Sequence, residues 1–322
     1  MIYSRIAGTG RYLPERVLTN ADLEKMVDTT DEWIRTRTGI ERRHIAADSE
    51  ATSDLAEPAA RRAIAAAGIS ATDIDLIIVG TTTPDLVFPN VGTLVQERLG
   101  IRGCPAFSVE AACSGFVYAL GVADKFVRLG ESRCALVIGA ETLSRITDWK
   151  DRNTCVLFGD GAGAVILQAA TEPGIFSTHL HSDGTYKDLL QCNAGVSRNS
   201  QLMVDRQLKI LMKGSEVFKV AVTTLGNVVD ETLARNQLDR KAIDWLVPHQ
   251  ANMRIILAIA RRLDMPLERV IVTVQDHGNT STASIPLALD TAVRDGRIKR
   301  GDLMLLETFG GGFTWGSALI RY

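Results

Sequence analysis

The chain has 322 residues, enough for one large domain or two ordinary ones, and 46% hydrophobic with 23% charged residues is the balance of a soluble globular protein. A formal net charge of −2 excludes a global electrostatic drive toward nucleic acid or an anionic membrane, so any basic patch must be local. No apolar run approaches the ~20 residues that cross a bilayer, so no membrane insertion is expected, and five scattered cysteines without a CxxC pair fit a reducing cytoplasm better than a disulfide framework.

In chain order, Met1-Ile2-Tyr3-Ser4-Arg5-Ile6 runs into an apolar strand without the regions of a signal peptide, so a cytoplasmic protein is expected. Residues 55–67 carry a helical period, and 74–79 form a continuous apolar strand of the kind buried sheets require. A turn of small residues around Ala111-Ala112-Cys113-Ser114-Gly115 then leads into a helical pattern over 116–129. Residues 135–138 form the next strand. Residues 156–158 and 163–167 read as a hairpin-like pair around Gly159–Gly163. The pattern over 252–263 places Ile255, Ile259 and Leu263 on one helix face. Alternating strands and helices define an α/β protein.

The two halves resemble one another. Ile74-Asp75-Leu76-Ile77-Ile78-Val79 matches Ile243-Asp244-Trp245-Leu246-Val247-Pro248 at a shift of 169 residues. Glu141-Thr142 matches Glu307-Thr308 at a shift of 166, which also sets Cys113-Ser114 on Asn279-Thr280. We read a duplicated βα unit, with the seam near Thr171-Glu172-Pro173-Gly174 and halves of 1–172 and 173–322. Packed about a pseudo-twofold axis, such halves would bring Cys113 and Asn279 face to face.

Three side chains carry the chemistry. Cys113 stands at a helix N-terminus, where the macrodipole lowers a thiol pKa; the competing reading is a small buried hydrophobe. His249 closes an apolar strand, where ligands bind in α/β sheets, and also fits a helix cap. Asn279 fits either an N-cap or a catalytic amide. The run Gly310-Gly311-Gly312 leaves N–H groups that suit an oxyanion or a tight turn. No metal-ligand spacing is present and neither glycine run matches a P-loop or dinucleotide fingerprint, so no metal and no cofactor are expected. Cys, His and Asn together suit thioester chemistry: a thiolate takes an acyl group while His and Asn stabilise an enolate.

These residues lie in six ordered motifs: Asp31-Glu32-Trp33-Ile34 with Arg37-Thr38-Gly39-Ile40, Ala112-Cys113-Ser114-Gly115, Phe158-Gly159-Asp160-Gly161-Ala162-Gly163, Pro248-His249-Gln250-Ala251-Asn252, His277-Gly278-Asn279-Thr280-Ser281, and Gly310-Gly311-Gly312-Phe313-Thr314-Trp315-Gly316. Over essentially the whole chain this pattern resembles the β-ketoacyl-acyl-carrier-protein synthase III family, the initiating condensing enzymes of bacterial fatty-acid synthesis. The resemblance implies a thiolase-like fold of two duplicated halves in five αβαβα layers, and a homodimer. It implies that Cys113 takes the acyl group of acyl-CoA, probed first as acetyl-CoA. His249 and Asn279 then assist decarboxylation of malonyl-acyl-carrier protein, with the N–H groups of Cys113 and Gly311 as oxyanion hole. By the same resemblance Trp33 and Arg152 sandwich the CoA adenine and Arg37 meets its phosphates, with Gly214 and Asn252 nearby. Read alone, Trp33 also fits a core position and Arg152 a solvated loop charge; Asn153 stands where a smaller residue is expected. Leu143 and a partner subunit's copy of Phe88 are implied to line the acyl pocket. Arg254 foremost, with Lys219 and Arg261, is implied to dock the acidic carrier protein; without the resemblance these are a solvated basic face. The rivals are a same-fold enzyme of secondary metabolism using another primer or malonyl-CoA, a cysteine hydrolase, and a non-catalytic partner of a ketosynthase pair.

Overall fold

The computed structural model covers residues 1–322. Its strands are β1 (Tyr3–Tyr12), β2 (Arg16–Thr19), β3 (Arg42–Ile45), β4 (Leu76–Gly80), β5 (Ala106–Val109), β6 (Cys134–Thr142), β7 (Asp160–Ala170), β8 (Ile175–Ser182), β9 (Leu190–Cys192), β10 (Ile210–Met212), β11 (Trp245–Pro248), β12 (Leu303–Gly310) and β13 (Thr314–Arg321). One sheet has the order β1-β7-β6-β4-β5, the other β11-β12-β13-β8; β2 pairs with β3 and β9 with β10. Read from the opposite edge, the second large sheet repeats the first. In both, a parallel pair (β4 with β6, β11 with β12) is followed by two antiparallel pairings. An isolated parallel bridge from Leu246 to Val270 marks where the second sheet has its remnant of β5.

Strand alternation explains the layering. On β4, Leu76 and Ile78 join a core with Phe116, Ile285 and Leu306, between the two sheets. Ile77 and Val79 point the other way, onto the Thr52–Ala67 helix. On β12, Met304 and Leu306 face the centre while Leu305 and Phe309 face the Gly214–Asn236 and Met253–Arg262 helices. The Gly115–Arg128 and Ser284–Arg294 helices fill the middle layer. The result is a five-layer α/β sandwich of two similar halves. No helix is long and apolar enough to cross a membrane.

The duplication runs at a shift of 169 through β4, β6 and the Cys113 turn. Leu76 pairs with Ala135 on β4–β6, and Trp245 with Met304 on β11–β12. Ala112 and Ser281 both adopt positive φ, +45° and +50°, at the start of equivalent turns. The matches at 166 are therefore not structural equivalents: Glu307 takes the place of Ile138, and Cys113 that of Thr282. The expected hairpin is also corrected. Arg152–Cys155 is a helical turn and 156–159 is not a strand; β7 pairs instead with β6 and β1. The backbone of 157–159 is spent on Asn279: its N–H donates to Leu157 O at 2.8 Å, and Gly159 N–H donates to its carbonyl at 3.0 Å.

The two halves meet backbone to backbone at Gly139, where an added Cβ would lie 2.4 Å from Thr282 O. Gly139→Ala should lower unfolding free energy by about 3 kcal/mol, because neither the central strand nor the opposing turn has room to yield. Gly184→Ala, whose Cβ would meet nothing within 4 Å, should change it by less than about 0.5 kcal/mol in the same denaturant titration.

Candidate active site

A cavity of about 1100 Å³ runs from the surface beside Trp33 and Arg37 to Cys113, His249 and Asn279. Cys113 and His249 sit on turns beyond the ends of β5 and β11, Asn279 sits on the turn after the short Val274–His277 helix, and each turn is held by the other half or by buried backbone. Thr308 Oγ1 donates to Cys113 O at 2.9 Å, and Thr314 Oγ1 to Ala111 O at 2.8 Å. The glycine run lies directly against this turn, since a Cβ on Gly310 would fall 2.6 Å from Cys113 N. Gly311 and Gly312 line the cavity beside it.

Burial pushes the Cys113 thiol up to about 12, the nearby Glu141 adding to the rise and a hydrogen bond from Ser281 opposing it. The helix N-terminus behind it contributes at most about 2 kcal/mol in the opposite direction. The lowered thiol pKa expected from sequence is thus corrected: burial outweighs the dipole, and the resting residue is a thiol.

Burial also lowers His249 to about 3, so its imidazole is neutral. Ser284 Oγ lies 2.6 Å from His249 Nδ1 and accepts from Gln250 N–H at 3.3 Å. With one lone pair used, donating its O–H to Nδ1 gives the hydroxyl proton a partner and leaves the imidazole proton on Nε2. Asn279 Oδ1 accepts from Ser281 N–H at 2.9 Å, which leaves its Nδ2 hydrogens free for a ligand. Two neutral donors and a thiol thus share one largely apolar cavity. Such donors suit an oxygen that gains negative charge during reaction.

The cavity mouth is basic and aromatic. The Arg37 and Arg152 guanidiniums lie 4.8 and 5.1 Å from the centre of the half-buried Trp33 ring. Asn252 caps the Met253–Arg262 helix through Arg254 N–H and donates Nδ2–H to Arg37 O at 3.1 Å. Arg254 stacks 5.1 Å from the Phe218 ring centre. Leu143, Asn153, Gly214, Lys219, Asn252 and Arg254 all line the cavity; Arg152, Arg261 and Phe88 do not. Phe88 is 83% exposed, outside this chain's own pocket. Sequence reasoning missed Glu141 and Ser281, which stand behind Cys113, and Ser284, which orients His249. A Ser or Glu in a strand-end turn is too common to single out without coordinates.

A duplicated thiolase-like sandwich with this cavity defines a condensing enzyme of the acyltransferase class. The 3-oxoacyl-[acyl-carrier-protein (ACP)] synthase III model matches residues 107–184, and the C-terminal model of the same family matches 233–322. The β-ketoacyl-[acyl-carrier-protein] synthase III of Thioalkalivibrio sulfidiphilus is 65% identical over 322 residues, all of both chains. The crystal structure of 3-oxoacyl-[acyl-carrier-protein] synthase III from Aquifex aeolicus superposes with a TM-score of 0.93 at 48% identity, covering 99% of this chain and 100% of that one. The priming β-ketosynthase of the R1128 polyketide pathway superposes with a TM-score of 0.94 but at 35% identity, over 99% and 96%. The chain belongs to the β-ketoacyl-acyl-carrier-protein synthase III family, the enzymes of the initiating condensation in fatty-acid synthesis.

Proposed function

We propose that the chain condenses an acyl-CoA primer, acetyl-CoA first among those to test, with malonyl-acyl-carrier protein, releasing CO2 and CoA. The observation that carries this reading is the convergence of the Cys113 thiol with two neutral donors, His249 and Asn279, in one deep cavity. Cys113 displaces CoA and holds the acyl group as a thioester. The malonyl thioester then enters with its carbonyl oxygen between His249 Nε2–H and Asn279 Nδ2–H. As CO2 leaves, the electron pair of the broken carbon–carbon bond flows onto that oxygen; the enolate carbon then attacks the acyl-Cys carbonyl, and the tetrahedral intermediate collapses by breaking the carbon–sulfur bond and expelling the Cys113 thiolate. Backbone N–H groups of Cys113 and Gly311 receive the second oxyanion. The stacked Trp33, Arg37 and Arg152 form a platform for an adenine and its phosphates. Gly214, Asn252 and Leu143 complete the walls. We assign the halves as 1–172 and 173–322, in line with the link between β7 and β8.

Two features support a homodimer. β5 is an edge strand with only partly buried residues, and Leu86, Val87 and Phe88 are exposed in the connection from β4 to β5. Phe88 then enters the acyl pocket of the other copy.

Arg254, Lys219 and Arg261 are exposed around the mouth and its helix, which suits an acidic carrier protein. Steady-state kinetics with both extenders test this. Malonyl-carrier protein should give a kcat/KM about tenfold or more above malonyl-CoA, and Arg254→Glu should remove most of that advantage by raising KM for the carrier protein alone. Equal use of the two extenders by the wild type would favour the secondary-metabolism reading instead.

A further inference from the structure

Arg43 is a fully buried guanidinium on β3 that neither acyl loading nor condensation has yet used. Its hydrogen-bond partners are three neutral oxygens. Nη1 donates to Leu18 O at 3.2 Å and to Asn20 Oδ1 at 2.9 Å, and Nη2 donates to Val156 O at 2.7 Å. Its Nε is buried without a partner. Burying a cation against neutral groups alone is costly, and burial lowers this one only to about 10, so it stays charged at neutral pH. What a guanidinium supplies there is a rigid planar fork that grips separate backbone segments at fixed angles.

One of those segments holds Asn279. Residues 156–159 belong to no strand, yet Phe158 makes an isolated parallel bridge to Asn279. Its two bonds run from Asn279 N–H to Leu157 O and from Gly159 N–H to Asn279 O. No neighbouring strand extends this bridge, so its position must be fixed from outside it. The Arg43 head binds Val156 O, one residue before Leu157. The Arg43 stem lies against both sides of the bridge: a Cβ on Gly159 would fall 3.0 Å from Arg43 Cβ, and one on Gly278 would fall 3.1 Å from it. Val156, Leu157 and Phe158 also line the cavity. The segment that Arg43 grips is thus both a cavity wall and the rail on which Asn279 is set.

We propose that Arg43 is a positioning residue for the condensation step, placing Asn279 Nδ2 where the developing enolate oxygen needs its hydrogen bond. The inference rests on the reading of Asn279 as an enolate donor. Cys113 does not share this support, because its turn hangs on Thr308 and Thr314. The helix that carries Trp33 and Arg37 keeps ties of its own at both ends, Asp31 N–H donating to Glu24 Oε1 and Asn252 Nδ2 donating to Arg37 O. Loss of Arg43 should therefore reach condensation through Asn279 and spare acyl loading. A misplacement of about 1 Å is enough to cost on the order of 10²-fold in rate.

The test is a double-mutant cycle of Arg43→Lys with Asn279→Ala. Lysine keeps the charge but has one nitrogen, which cannot hold Leu18, Asn20 and Val156 together. Each protein is pre-acylated from acetyl-CoA and its loaded fraction counted by intact mass. Single-turnover condensation with malonyl-carrier protein is then expressed per loaded chain. Arg43→Lys alone should load within about threefold of wild type and condense about 30-fold more slowly at saturation, with KM for malonyl-carrier protein changed by less than about twofold. In the Asn279→Ala background the same substitution should cost less than about twofold, since the side chain it positions is gone. A merely structural defect would carry its whole loss into both backgrounds and lower loading as well. Counting per loaded chain removes unfolded protein from the rate; should Arg43→Lys give no loaded chain, the neutral Arg43→Gln takes its place in the cycle. Equal losses in the two backgrounds, or wild-type condensation in Arg43→Lys, would overturn the positioning role while leaving Asn279 as the donor. Full condensation by Asn279→Ala alone would overturn the reading beneath it.

Discussion

Cys113→Ala will take up no acyl mass from any acyl-CoA, and its condensation rate will fall by on the order of 10⁶-fold, the scale seen when a covalent nucleophile is deleted. The sulfur lines the cavity together with His249 and Asn279, and the methyl that replaces it has no lone pair to offer. The fold will survive. The turn is pinned through the backbone, by Thr308 onto Cys113 O and Thr314 onto Ala111 O, and neither bond involves the thiol. Thermal melting should therefore move by only a few degrees while loading vanishes. The donors are likewise independent of the sulfur: His249 is set by Ser284, and Asn279 by Leu157 and Gly159. The variant should still decarboxylate malonyl thioester slowly, releasing CO2 without forming a carbon–carbon bond. An acyl adduct that persists in Cys113→Ala, located by peptide mapping, would place the nucleophile elsewhere and defeat the scheme.

How much of this was legible beforehand depended on whether the signal was local. The Cys113 turn was legible because Ala111, Ala112 and Gly115 are all small where a strand must turn sharply into a helix. The duplication was legible from Ile74–Val79 and its counterpart, since buried strands repeat their apolar character. Its register was not. Glu141-Thr142 and Glu307-Thr308 match as dipeptides, yet Glu307 replaces Ile138 and faces an outer layer. Only strand pairing could reveal that. The hairpin read around Gly159–Gly163 failed for a similar reason. Glycines mark tight approach as well as turns, and a Cβ at Gly159 would lie 2.6 Å from His277 O. That contact joins residues more than a hundred positions apart. The thiol's acid strength was misjudged because the dipole is written in the local sequence, whereas burial is a property of the whole fold.

His249→Ala and Asn279→Ala should separate the two half-reactions. Each should retain acyl loading within about tenfold of wild type and lose condensation by about 10²–10³-fold, the loss typical of one missing donor to a developing oxyanion. The asymmetry follows from where the protons go. Loading needs a nucleophilic sulfur, which neither side chain supplies; decarboxylation needs donors to the enolate oxygen, and these two supply them. The histidine's acid strength adds a second expectation. Burial holds it near 3, far below its unfolded value, so the neutral imidazole persists through the whole range from pH 5 to 8. Condensation by enzyme already carrying its acyl group should then show no acidic limb from His249 in that range. Single-turnover rates of pre-acylated enzyme with malonyl-carrier protein, followed across that range, provide the check. A fall in the single-turnover rate with a midpoint near 6.5 would mean that His249 titrates as a solvated imidazole. Loss of loading in both alanine variants would mean that the imidazole and the amide act on the thiol itself. Survival of loading with loss of condensation is the outcome that Ser284, by holding the His249 proton on Nε2, is placed to produce.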